Sequence, residues 1–156
     1  VEVGHALFYR LRLQDALDEG EDLGQVFTET NPELAAYYND LFDPATDQFK
    51  RGLLPYPDDA LAEMDLFILS RILVYPAFRG HGLGIAAIDQ AIRLIGHDWD
   101  LIVTRLLPMQ FESGLAPDMQ TRAELDRLDA REFVARKKLE RYFTEHLPLL
   151  KLRGRN

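Results

Sequence analysis

The chain contains no cysteine, which removes disulfides, thiolate metal ligands and a cysteine nucleophile together. No apolar stretch approaches the ~20 residues needed to span a bilayer, so a membrane role is not expected. Ligand spacing is missing too: His5, His97 and His146 lie far apart in sequence, and no metal site is expected. Ser70 and Ser113 have no nucleophile-elbow context, which argues against a hydrolase. Charged residues begin at Glu2 and recur at Arg10 and Arg12, unlike a signal peptide. Together with the missing cysteines, this leads us to expect a cytoplasmic protein. A first residue of Val1 rather than Met reads as a trimmed N-terminus.

Basic charge is also scarce. Lysine and arginine number 18 against 26 acidic residues, a net charge of −8. From Arg131 onward, eight basic residues against three acidic ones give +5, which leaves −13 for residues 1–130. An acidic body disfavours nucleic acid, whose affinity depends on neutralised phosphates. It would attract a cationic amine, or simply serve solubility. The basic tail either faces an anionic ligand or is solvated helix surface.

What is present is an ordinary globular composition, 47% apolar and 28% charged over 156 residues, read as one domain spanning 1–156. Alternation over Ala6–Leu13 predicts an opening strand. Asp15–Gly24 is acidic and predicts a loop with about one helical turn. Asn31-Pro32-Glu33 is a helix start, with Leu34, Tyr37, Tyr38 and Leu41 on one face. Gly52–Asp59, with two prolines, predicts a turn. Leu66–Val74 is an apolar run broken only by Ser70 and Arg71, as in a strand covered on both faces. Ile85, Ile88, Ile92 and Ile95 make one stripe of a helix closed by Gly96, and Trp99–Leu107 is a second buried strand. Residues 112–130 predict a mobile connection, with Thr121-x-x-Glu124 as a short helix start. Asp129-x-x-Glu132 opens a last long helix whose Ala135, Leu139, Tyr142 and His146 share a face, and Leu147–Leu152 predicts a terminal strand. The fold class expected is therefore mixed α/β.

Between the Leu66–Val74 strand and its helix lies Tyr75-Pro76-Ala77-Phe78-Arg79-Gly80-His81-Gly82-Leu83-Gly84. Backbone N–H groups of a glycine-rich turn, backed by a helix N-terminus, suit a phosphate or pyrophosphate. No lysine follows the glycines, which excludes a nucleoside-triphosphatase loop. Gly82-Leu83-Gly84-Ile85-Ala86-Ala87 fits a dinucleotide-binding turn, but Pro76–His81 intervene after the strand, and no acid ends the next strand. Arg79-Gly80-His81-Gly82-Leu83-Gly84 fits the acetyl-coenzyme A loop, Arg/Gln-x-x-Gly-x-Gly/Ala after Val-x-Pro, at every defined position.

With Ile72–Gly84 fitting strand, loop and helix start, the chain resembles the GNAT superfamily of N-acetyltransferases, the resemblance covering Leu66–Pro108. It implies a central mixed sheet flanked by helices, its two central strands splayed around the pantetheine arm. The backbone of Ile72, Leu73 and Val74 would bind the pantetheine amides. The amides of Gly80, His81, Gly82, Leu83, Gly84 and Ile85 would hold the pyrophosphate, with Arg79 adding charge. The activity implied is acetyl transfer from acetyl-CoA to a primary amine on a small molecule or peptide, by direct attack in a ternary complex. The N–H of Val74 takes the place of the carbonyl donor. Ser70 stands where the family often has a glutamate base, so Glu112 is the first replacement considered, followed by Asp65 and His81, or proton loss to water.

The family's leaving-group acid is often a tyrosine in Ala-x-x-x-Tyr followed by Gly-Phe. Anchoring on Ala135 puts Leu139 in that slot; anchoring on His146-Leu147 puts Tyr142 there, with a core aromatic as its other reading. Tyr37, Tyr38, Phe42 and Tyr56 either wall an acceptor pocket or pack the core. Two further function classes stay open: an acyl-CoA-binding module without transfer, and a dinucleotide-binding domain. An open sheet edge is compatible with pairing into a homodimer.

Overall fold

The computed structural model describes residues 1–53, 65–95, 101–112, 115–148 and 152. Five strands are β1 (Gly4–Leu11), β2 (Phe42–Asp43), β3 (Gln48–Phe49), β4 (Leu66–Val74) and β5 (Leu101–Thr104) among the described residues. The α-helices described are α1 (Leu13–Asp18), α2 (Leu23–Thr30), α3 (Ala35–Leu41), α4 (Leu83–Ile95), α5 (Pro117–Arg122) and α6 (Glu132–His146). The main sheet has the order β1-β4-β5, and β2 and β3 form a small antiparallel hairpin. Tyr75, just past β4, donates its N–H to Val3, just before β1, while Arg10 of β1 pairs with Asp65 at the start of β4. These two strands are therefore antiparallel. Leu101 donates to the Asp65 carbonyl at 2.8 Å, so β4 and β5 start side by side and run parallel. The fold is a mixed α/β arrangement with a small mixed sheet and flanking helices.

The chain forms two compact units, each assembled from three segments. One comprises Tyr9–Ile68, His97–Val103 and Leu150–Asn156. Its core gathers Phe27 of α2, Leu34, Tyr37, Tyr38 and Leu41 around α3, Phe42 of β2, and Leu66 and Ile68 of β4. Asp22 starts α2, its Oδ1 accepting from the N–H of Gln25 at 2.8 Å. The stretch Asp15–Gly24, expected as a loop with about one helical turn, holds most of α1 as that turn and only the first two residues of α2, which the cap and the apolar pair Leu23 and Phe27 carry on to Thr30. Asn31 and Pro32 open a 3-10 turn that leads into α3, as their order requires. Tyr37, Tyr38 and Phe42 are all buried here, so core packing, not a pocket wall, is their role. Burial and a hydrogen bond to Asp47 push the Tyr38 phenol up to about 12. Tyr56 lies outside the described residues.

The other unit comprises Val1–Phe8, Leu69–Gly96 and Thr104–Leu149 and contains the glycine turn. One cluster packs Leu69 and Ile72 of β4 with Ile85, Ile88 and Ile92 of α4 and Leu139 and Phe143 of α6. Fully burying a side chain such as Ile88 contributes about 2 kcal/mol. A second cluster packs Leu73 and Tyr75 with Leu115, Ala123 and Leu125. Regular alternation would put Leu69 and Ile72 on opposite faces. Instead they share a cluster, while Leu73 and Tyr75 join the other. Strict alternation therefore does not hold through Ser70 and Arg71.

Three expectations change in this unit. The connection expected to be mobile is packed: α5 and a 3-10 turn at Leu125–Arg127 carry the fully buried Ala123 and the buried Leu125. Thr121 lies inside α5, bonding back to the Pro117 carbonyl, and so does not start a helix. The buried face of α6 runs through Ala135, Leu139 and Phe143, leaving Tyr142 and His146 exposed. The expected strand at Leu147–Leu152 falls largely outside the described residues, as do Gly96 and Trp99.

Candidate functional site

Strand β4 ends at Val74, and Tyr75 and Pro76 open a 3-10 turn that closes at Phe78. Gly80 and Gly82 then adopt φ of +78° and +71°, left-handed values that other residues reach at a cost. A Cβ built on either meets nothing within 4 Å, so both glycines border open space. Helix α4 follows at Leu83, and the amides of its first turn lack intrahelical acceptors. Those amides and the positive end of the helix dipole suit an anion at this turn.

The decisive juxtaposition is at Gly84. A Cβ placed there would stand 3.6 Å from Ile72 Cγ2, 3.8 Å from the Tyr142 hydroxyl and 4.0 Å from Val74 Cγ2. The last helix thus brings a phenol to the point where the Ile72 and Val74 side chains of β4 meet the start of α4. Tyr142 is 37% exposed, which rules out the core-aromatic reading. Its ring lies 4.8 Å from that of His146, whose Nδ1 bonds the Tyr142 carbonyl at 2.7 Å. Of the strand residues, Leu73 is buried, while Ile72 and Val74 are half-buried. In the turn, His81 is exposed, with Nδ1 3.3 Å from the Phe78 carbonyl. Leu83 is half-buried, and Ile85 packs into the cluster between β4 and α6.

Two candidates have other partners. Arg79 turns inward: its Nε donates to the Val74 carbonyl at 2.9 Å and its Nη2 to the Ala123 carbonyl. Glu112 accepts from Nε and Nη2 of Arg71, with both side chains 15% exposed. Glu112 is thus held at Arg71, whereas Tyr142 stands by Ile72 and Val74. Asp65 is paired with Arg10 at 2.9 Å.

Beside the turn, sequence reading missed a polar cluster. His5 Nε2 lies 2.6 Å from the Tyr75 hydroxyl and 3.1 Å from Glu2 Oε1. Arg122 donates to Glu2 Oε2 at 2.6 Å and sits 4.6 Å above the Tyr75 ring. The hydrogen bond from Arg122 holds the Glu2 carboxyl below its ordinary range. No short-range spacing announces this cluster, because its members are separated by up to 120 residues. The packed α5 segment did carry a signal: Leu115, Met119 and Ala123 recur every four residues.

Comparison of the chain with protein-family models, with curated proteins and with solved structures gave no match.

Proposed function

We propose that the chain is an acetyl-CoA-dependent N-acetyltransferase acting on a primary amine. The observation that carries this reading is the meeting of the Tyr142 hydroxyl, the Gly84 helix start and the Ile72 and Val74 side chains at one point. An acyl-CoA with its pyrophosphate on the turn at Gly80 and Gly82 would run its pantetheine past that point and along β4. The open space at Gly80 and Gly82 suits a ligand phosphate, because backbone donors there are not screened by side chains. In this reading Tyr142 protonates the departing thiolate, and the N–H of Val74 polarises the thioester carbonyl. The amine attacks directly, and its proton leaves to water or to a carboxylate.

The Arg71–Glu112 pair favours one second reading. A carboxylate already accepting two guanidinium bonds is poorly placed to take a proton from an amine. An acyl-CoA-binding module without efficient transfer would have such a site.

The test is thermal denaturation with acetyl-CoA, dephospho-CoA and NAD in parallel. A ligand at ~100 times its Kd that binds only the folded state adds about 2.7 kcal/mol. Acetyl-CoA should stabilise best, and an amine panel then separates transferase from binding module. Stabilisation by NAD alone would shift the reading to a dinucleotide site, and no response to any of them would end it.

A further inference from the structure

We infer that Arg79 is a positioning residue, a strut between the glycine turn and the packed segment 115–128, and not a phosphate ligand. The inference rests on the acetyl-CoA reading only for the identity of the ligand at the turn. The guanidinium spans two backbone carbonyls from distant parts of the chain, Val74 at the end of β4 and Ala123 at the end of α5. A guanidinium can do this because its donors are held in a rigid planar fork. A lysine ammonium at the same position keeps the charge but lacks that fork.

The far end of the strut is the place where the backbone is strained. Ala123 is fully buried, and the next residue, Glu124, holds φ +47° and ψ +44°. That left-handed conformation is unfavourable for a residue with a Cβ, and it persists where the surroundings fix it. Here the fixing contacts are the Arg79 bond to the Ala123 carbonyl, the Glu124 N–H to Thr121, and the burial of Leu125 against the Leu73 and Tyr75 cluster. Gly80, directly after Arg79, is the first of the two left-handed glycines. The same side chain therefore fixes the entry to the turn and the exit from α5. An anion that settles on the turn is coupled through Arg79 to segment 115–128, although it touches none of that segment's residues.

The experiment is amide hydrogen exchange on the full chain, with and without acetyl-CoA, for wild type, Arg79→Lys and Arg79→Gln, alongside acetyl-CoA affinity. In wild type, acetyl-CoA should slow exchange across 119–127 as well as across 80–86. Without ligand, Arg79→Lys should speed exchange across 119–127 by about tenfold while Ile88–Ile92 of α4 stay protected, which shows that the variant is folded. Its acetyl-CoA affinity should fall at least tenfold despite the retained charge. A residue serving stability alone would lower Tm and leave affinity untouched. Arg79→Lys binding within twofold of wild type, with Arg79→Gln much weaker, would assign Arg79 to the phosphate and overturn the strut. If wild type ignores acetyl-CoA, the functional reading falls separately. The ligand-free exchange of Arg79→Lys then decides the strut: faster across 119–127 sustains it, and unchanged overturns it.

Discussion

Two glycines two residues apart should respond to alanine with opposite signs. At Gly82 the new Cβ meets no neighbour, so sterics with the surroundings cost nothing, but φ of +71° must now be held by a residue with a side chain. That costs roughly 1–2 kcal/mol. Alanine also narrows the unfolded ensemble, which returns roughly 0.4–1 kcal/mol. The net expectation for Gly82→Ala is a loss of about 1 kcal/mol. At Gly84 the backbone is already helical, and the Cβ would enter ordinary contact with Ile72, Val74 and Tyr142 at 3.6 to 4.0 Å. Replacing glycine in a helix interior gains up to about 1 kcal/mol, and somewhat less in the first turn. Gly84→Ala should therefore stabilise by about 0.5 kcal/mol. Urea melts of the two variants should differ by about 1.5 kcal/mol, which is about 3–6 °C in Tm for a chain of this size. The ligand response should not follow stability. The Gly82→Ala methyl stands in the space a phosphate would enter, and acetyl-CoA affinity should fall tenfold or more. Gly84→Leu should also lose binding, because its side chain must displace Tyr142 or Ile72. A Gly82→Ala protein as stable as wild type would refute the backbone reasoning. Unchanged acetyl-CoA affinity in that variant would refute the loop assignment.

Three other outcomes are expected. Tyr142→Phe removes a hydroxyl that lies at an exposed helix face, so stability should change by less than about 0.5 kcal/mol, whereas transfer should fall about 100-fold in a stopped assay of released thiol. Glu112→Ala should cost about 2–3 kcal/mol by leaving the mostly buried Arg71 without that carboxylate, and the double variant with Arg71→Met should cost less than the sum of the singles in denaturant melts. Tyr38 keeps its proton to about pH 12 in the fold, while an unfolded tyrosine loses it near 10. Its raised value stabilises fully below pH ~10 and is lost as pH rises toward 12, because the unfolded state then binds fewer protons. Tyr38→Phe should flatten that part of the stability–pH curve, and an unchanged alkaline slope would assign the loss to other groups.

Much of the local architecture could be read from residue pattern. The apolar run that predicts a strand over Leu66–Val74 and the isoleucine stripe that predicts α4 both depend on periodicity within one element, and the structure has them at those residues. Asn31 and Pro32 act through their immediate neighbours and were equally legible. Most of helix α2 was not legible beyond Gly24, because its stability comes from Phe27 packing among aromatic partners supplied later in the chain. At the site, the turn was legible but the destination of its arginine was not. A guanidinium beside glycines looks the same in sequence whether it faces a ligand or a carbonyl 44 residues away. Arg71 gave a fairer warning, since a cation inside an apolar strand requires an anion nearby, and Glu112 is that anion. Tyr142 needed the depth of α6 relative to Phe143, which depends on packing and not on spacing.

The segmentation of the chain has a practical corollary. Each compact unit is sewn from three stretches that alternate along the sequence, with seams inside β1 at Phe8–Tyr9, inside β4 at Ile68–Leu69 and inside β5 at Val103–Thr104. No single cut can release either one. A continuous fragment long enough to contain the glycine turn and Tyr142, from Leu69 to Leu149, still lacks Val1–Phe8, and so forfeits the Val3, His5 and Glu2 contacts to Tyr75 and Arg122. Truncation screens for a smaller working core should therefore fail at both ends, whereas a chain that fuses residues 1–8 to the start of the 69–149 stretch would carry the glycine turn, Tyr142 and the Glu2, His5, Tyr75 and Arg122 cluster on one polypeptide.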